Sequence, residues 1–182
     1  METAKTHNPY NPPYFQNTYT ISQRIIHTSS SFARSTLIYL QEVGELRALL
    51  PHVSTRSSLD SYLFFIVHAG GGELKYKGQR YELSTGDCVF IDCNDGYEQK
   101  TSSHKDETGQ YDELWNLSRV HFNGASMSSI YTKYKERGGK SVFRAVDMER
   151  YIALIKQIFT IASGDDYVKD MQLAGKLTDL LT

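Results

Sequence analysis

The stretch from Tyr62 to Asp92 limits the possible folds more than any other part of the chain. It opens with Tyr62-Leu-Phe-Phe-Ile-Val-His68, a run of aromatic and β-branched residues that reads as a strand. After Gly70-Gly71-Gly72 come Glu73-Leu-Lys-Tyr76, the turn Lys77-Gly78-Gln79 and Arg80-Tyr-Glu-Leu83, which together predict a β-hairpin with glycine at its bend. Ser84-Thr85-Gly86-Asp87 makes another turn before Cys88-Val-Phe-Ile-Asp92. Short strands separated by turns at this spacing predict an antiparallel sandwich or barrel.

The same pattern extends outward on both sides. Thr36-Leu-Ile-Tyr-Leu40 reads as a strand, while Val43 to His52 fits neither period; after the polar loop Thr101 to Gln110 a further strand is expected from about Leu114 to Phe122. Past Gly124 the spacing changes. Ser126 to Glu136 predicts a helix ending at Gly138 and Gly139, and Asp147 can cap a second one carrying Tyr151, Ile152, Ile155, Ile158, Phe159 and Ala162. Gly164 interrupts the chain, and Tyr167, Met171, Ala174, Leu177 and Leu181 repeat the helical spacing. At the other end Pro9, Pro12 and Pro13 make residues 1 to about 20 poor material for regular structure, so they read as an extended arm whose Tyr10, Tyr14, Phe15 and Tyr19 seek a surface to cover. The boundaries expected are 1–20 for the arm, 21–124 for the β-barrel and 125–182 for a helical region.

Charge and cysteine usage exclude several roles. The 182 residues carry 20 Lys and Arg against 21 Asp and Glu, a net charge of -1 that gives no field drawing the chain to phosphates. No run approaches the length of a membrane span and the start lacks a signal peptide, so a cytoplasmic location without membrane contact is expected. Cys88 and Cys93 fall on opposite faces of an extended segment, which predicts reduced, structural thiols.

The order Arg56, Tyr62-Leu-Phe-Phe-Ile-Val67, Gly70-Gly71-Gly72, Lys77-Gly78-Gln79, Gly86-Asp87 and Trp115 to Val120-His121-Phe122-Asn123-Gly124 resembles the sensor domain of AraC-family transcriptional regulators, over about residues 17 to 182. The resemblance implies a mainly β fold with C-terminal α structure: a cupin-like double-stranded β-helix, or jelly-roll, barrel with an effector pocket at its mouth, followed by two or three helices that dimerise. It also implies two helix-turn-helix units in a parent protein. Nothing after Leu181 supplies one here, so DNA is expected to be contacted only through that missing C-terminal domain.

Strand alternation sets Trp115, Leu117, Arg119 and His121 on one face and Asn116, Ser118, Val120 and Phe122 on the other; by the resemblance the first set looks inward at the effector. The resemblance also makes Arg56 the arginine that reaches a sugar in relatives, and it puts Tyr97 where relatives often carry a metal-binding histidine. Arg56, Tyr97, Trp115, Leu117, Arg119 and His121 are therefore the expected ligand-binding residues. A barrel-facing arginine requires a partner, either an anionic ligand or a carboxylate such as Glu82, Asp87, Glu98 or another, and both readings stand. The region of the first cupin metal motif offers only His68 and Glu73, so no metal or other cofactor is expected.

The function expected from these features is small-molecule sensing without catalysis, with a sugar or sugar acid as effector. The competing readings are a stand-alone cupin enzyme acting on a sugar or small organic acid, and a dimerisation module without ligand. A homodimer is expected through Ile152, Ile155, Phe159, Leu173, Leu177 and Leu180, whose apolar surface exceeds what a small barrel obviously covers.

Overall fold

Gly70 and Gly78 both have positive φ, at 71° and 75°, and both sit at reversals of the chain, where a side chain would be strained. We describe the resulting fold from a computed structural model, which covers the backbone of residues 3–6 and 14–182 and the side chains from Phe15 onward. The expected burial of Tyr10 and Tyr14 and the conformation of Pro9, Pro12 and Pro13 fall outside the described residues.

In chain order the elements are β1 (Thr3–Thr6), β2 (Tyr14–Gln16), β3 (Thr20–Ile26), α1 (Ser31–Thr36), β4 (Ile38–Ala48), β5 (Val53–Arg56) and β6 (Tyr62–Ala69). There follow β7 (Gly71–Tyr76), β8 (Gln79–Ser84), β9 (Asp87–Asp92), β10 (Tyr97–Thr101) and β11 (Asn116–Gly124). The C-terminal part contains α2 (Met127–Glu136), β12 (Val142–Arg144), α3 (Met148–Ser163) and α4 (Lys169–Leu180). The strands form two antiparallel sheets, one ordered β1-β2-β3-β4-β11-β6-β9-β12 and the other β5-β10-β7-β8.

The larger sheet is covered on both faces, which explains why β6 reads as an unbroken apolar run. Leu63, Phe65 and Val67 point toward the smaller sheet, where they pack with Leu74, Leu83, Val89, Ile91 and Trp115. Tyr62, Phe64 and Ile66 point the other way and pack with Phe90, Phe122 and the apolar faces of α2, α3 and α4. Cys88 joins the helix-side core and Cys93 the inter-sheet core, and both thiols are free. Burial pushes the pKa of each up to about 12, which makes them inert packing groups.

Asp147 caps α3 by accepting the Arg150 backbone N–H at 3.1 Å, as its position in the sequence predicts. The amphipathic stripes serve a different purpose from the expected one, however. Ile152, Ile155, Leu173, Leu177 and Leu180 are buried against the larger sheet and Phe159 is partly buried there, so these residues do not form a free dimer surface. The strand limits also shift: Ser31 to Thr36 is helical, the stretch left open from Val43 to Ala48 completes β4, and the strand expected from Leu114 begins at Asn116. β3, inside what reads as featureless sequence, pairs along its length with β4 from Thr20↔Ala48 to Ile26↔Glu42.

Candidate functional site

Four neighbouring strands of the larger sheet build one wall of a cavity between the sheets. Arg119 of β11 is in register with Gly44 of β4 on one side and Phe65 of β6 on the other, and Gly44 is in register with Arg24 of β3. Directly paired residues share a face, so Arg24, Gly44 and Arg119 stand side by side facing inward. His121 is likewise paired with Glu42, and Leu117 with Leu46. On the opposite side Tyr97 of β10 pairs with Arg56 of β5, the edge strand of the smaller sheet.

The cavity has a volume of about 920 Å³, and all six residues expected from the sequence line it: Arg56, Tyr97, Trp115, Leu117, Arg119 and His121. Arg24, Glu42, Asp60 and Tyr19 line it too. Residues of β3 and β5 line it together with those of β11 and with Leu63 of β6.

Glu42 organises the charges. Its Oε1 accepts a hydrogen bond from Arg119 Nη2 at 2.9 Å and lies 4.0 Å from Arg24 Nη1. Glu82, Asp87 and Glu98 are thus not the partners of Arg119: Glu82 and Glu98 belong to the smaller sheet, and Asp87 pairs with Arg144. The missing side chain at Gly44 lets β3 approach β4 closely beside this group. A Cβ there would overlap the Gln23 carbonyl and come within 2.6 Å of Arg24 Cβ. Arg24 is also held over the ring of Phe15, 4.7 Å from its centre, so β2 supports the site from the edge of the sheet.

The remaining groups differ in setting. His121 Nδ1 is 3.0 Å from Ser61 Oγ, and burial, assisted by Arg119 and Arg56 and opposed by Glu42, pulls its pKa down to about 4. The ring is neutral at neutral pH. Burial raises the Tyr97 hydroxyl above its ordinary value, so it stays protonated. Trp115 is buried, and its Nε1 has no hydrogen-bond partner among the described residues. The benzo edge of this indole faces Gly72, where an added Cβ would lie 2.7 Å from Cζ3, so the N–H edge turns away from the smaller sheet. Arg56 departs from expectation: it shares the inner face with Tyr97 but is exposed at the rim, where its Nη1 donates to the Thr55 carbonyl at 3.3 Å. Its position on an edge strand keeps it out of the interior.

The donor set does not fit a divalent metal, which needs three or four convergent ligands. In the cavity Glu42 is engaged by two guanidinium groups and His121 by Ser61. Glu73 pairs with Arg80 on the smaller sheet, and His68 lies on the helix side near Lys156 and Glu149 of α3. Among the described residues, the one group of three potential metal ligands is His104, Asp112 and Glu113, exposed in the loop between β10 and β11.

No family model and no curated sequence is similar to the chain; the likeness is to solved structures. The AraC-like transcriptional activator CuxR aligns with a TM-score of 0.53 and 9% identity, covering 89% of this chain and 56% of its own. The fold is cupin-like. Other cupin structures align with it as well. The Cupin_2 domain of an XRE-family transcriptional regulator from Enterobacter cloacae has a TM-score of 0.42 and 9% identity, covering 57% of this chain and 96% of its own. Ectoine synthase from P. lautus has a TM-score of 0.43 and 10% identity, covering 72% of this chain and 79% of its own. Similar structures thus include both regulators and enzymes.

Sequence reading missed Arg24 and Glu42, the other two members of the charged group. The signal available for Glu42 was Glu42-Val43-Gly44, a carboxylate two residues from a glycine within a stretch whose strand character was undecided. Arg24 offered none, because nothing in the pattern marked β3.

Proposed function

We propose that this chain is the small-molecule-sensing and dimerisation domain of an AraC-type transcriptional regulator, with a sugar or sugar acid as its effector and no catalytic activity of its own. The observation that carries the reading is the cavity itself. Guanidinium, carboxylate and imidazole groups converge there with the ring of Trp115 and apolar walls, a combination suited to binding a compact molecule rich in oxygen. The metal-ligand geometry of a cupin enzyme is not offered by these side chains. The likeness to CuxR takes in 89% of this chain and so includes the helices beyond the barrel, which supports a regulator over a barrel enzyme. DNA would be engaged by a C-terminal half outside this chain.

In this reading the homodimer uses a surface other than the buried helix stripes. Tyr167, just before α4, Met171 in its first turn and Phe32 of α1 are exposed, and they supply apolar area outside those stripes. No described helix is long and apolar enough to cross a membrane.

Titration calorimetry against neutral sugars and sugar acids tests the proposal, with elemental analysis on the same preparation. Saturable binding by the wild type that weakens about tenfold in Arg119→Gln, which removes the guanidinium from the cavity wall, is the expected result. Stoichiometric iron, manganese or zinc bound at the cavity together with turnover of a sugar or organic acid would replace sensing with the enzyme reading.

A further inference from the structure

The polar groups of the cavity have a pattern that says more about the ligand than their mere presence. Arg119 and Glu42 form a donor and acceptor side by side, with Nη2 to Oε1 at 2.9 Å. Ser61 Oγ lies 3.0 Å from His121 Nδ1 and 3.3 Å from the Tyr62 carbonyl, so the neutral imidazole adds one donor and one acceptor to this part of the wall, one of them engaged by Ser61. Trp115 Nε1 is a buried donor with no hydrogen-bond partner among the described residues. Donors and acceptors therefore both line the wall, and the Arg119 guanidinium stands there paired with a carboxylate.

We infer that the cavity takes a neutral polyhydroxyl ligand, and that Glu42 sets this preference by excluding the corresponding acids; the inference rests on the sensing role proposed above. A hydroxyl both gives and accepts a hydrogen bond, so two adjacent hydroxyls satisfy a guanidinium and a carboxylate together. A ligand carboxylate only accepts. Approaching Arg119 it meets Glu42 at a comparable distance, so attraction and repulsion offset while the cost of stripping its water remains. Arg24 does not reverse this balance, because it is drawn to the same Glu42 carboxylate and lies against Phe15. Arg56 is exposed at the rim, where solvent and salt screen its charge.

The test is titration calorimetry of the full chain with matched pairs: D-glucose and D-glucuronate, D-galactose and D-galacturonate, ribitol and D-ribonate. The expected result is that the neutral member of at least one pair binds the wild type about tenfold or more tightly than its acid, and that Glu42→Gln narrows or reverses the ratio. Acids that bind the wild type as tightly as their neutral partners, or more tightly, overturn the inference and leave sensing intact. Failure of every compound to bind overturns both this inference and the carbohydrate reading. The wild-type ratio is decisive even when Glu42→Gln does not fold. The double substitution Glu42→Gln with Arg119→Gln removes both charges together and is expected to lose the discrimination; a retained tenfold preference in the double variant shows that Glu42 does not set it and overturns that part.

Discussion

His27 Nε2 lies 2.9 Å from Asp170 Oδ1, and this contact fastens the end of β3 to the first turn of α4. The other oxygen of Asp170 accepts the backbone N–H of Ser30 at 3.0 Å, just before α1. The cavity wall, through Arg24 and Ile26 of β3, is thereby tied to the last helix.

Replacing Asp170 with alanine is expected to cost about 1.5–3 kcal/mol, the range for hydrogen bonds to a charged group, and to raise amide exchange across α4. Burial raises the Asp170 pKa, but the hydrogen bonds from Ser30 and His27 outweigh it, so the folded value lies below the ordinary 3.8. A depressed folded pKa stabilises the protein above the unfolded value and loses that contribution as pH falls through the folded one. The difference between wild type and Asp170→Ala in urea unfolding should therefore be full at neutral pH and shrink below about pH 4. An unchanged difference under acid conditions would show that the carboxylate charge plays no part.

Trp115 is the single tryptophan, so its fluorescence reports on the cavity alone. A Cβ at Gly72 would lie 2.7 Å from Cζ3 of its ring and overlap the Lys100 carbonyl, leaving the indole to move. Gly72→Ala is expected to destabilise by about 1–3 kcal/mol, as overpacking does, and to shift the emission maximum. Emission and urea midpoint both matching wild type would mean that the ring does not rest on β7.

The fold was readable in the sequence where burial on each face is simple. β7 and β8 show their turn, and β6 shows strand composition, although its two buried faces erase alternation. β3 was unreadable because Thr20 and Arg24 are polar residues lining the cavity and Ser22 is a buried polar one, which inverts the usual rule of apolar residues inside. The site divides in the same way. Trp115, Leu117, Arg119 and His121 followed from period-two spacing plus a resemblance, whereas Glu42 and Arg24 become neighbours of Arg119 only through strand register. The helices were legible as amphipathic, but their partner was not: the apolar stripes of α3 and α4 required the outer face of the larger sheet, which the pattern alone does not show.

His121 should make the protein less stable in mild acid. Its folded pKa of about 4 lies below the ordinary 6.5, so between these values the unfolded chain binds a proton that the folded chain refuses. Stability is then fully present above about pH 6.5 and falls as pH drops toward 4, by up to roughly 3 kcal/mol from this residue. Urea unfolding at neutral pH and at about pH 5 should show a smaller loss in His121→Asn than in wild type. A His121 ring resonance that titrates near its ordinary value would sink the prediction.

Arg119 and Glu42 should show strong energetic coupling. Their side chains are 17% and 21% exposed, so truncating one leaves the other largely shielded from water with its hydrogen bond unmade. Arg119→Ala is expected to cost about 2–4 kcal/mol, somewhat below the 3–5 typical of a broken buried pair, because Arg24 remains 4.0 Å from Glu42 and takes up part of the charge. Glu42→Ala should cost a similar amount, since it leaves the mostly enclosed Arg119 guanidinium without its carboxylate. The double variant has no orphaned partner from the pair, and its loss should fall short of the sum of the single losses by about 1–3 kcal/mol. Urea unfolding of the four proteins at neutral pH measures this coupling, and raised salt should reduce it only slightly because the pair is mostly enclosed. Additive losses would mean that Glu42 and Arg119 act independently, and the shared carboxylate would no longer be the organising feature of the cavity.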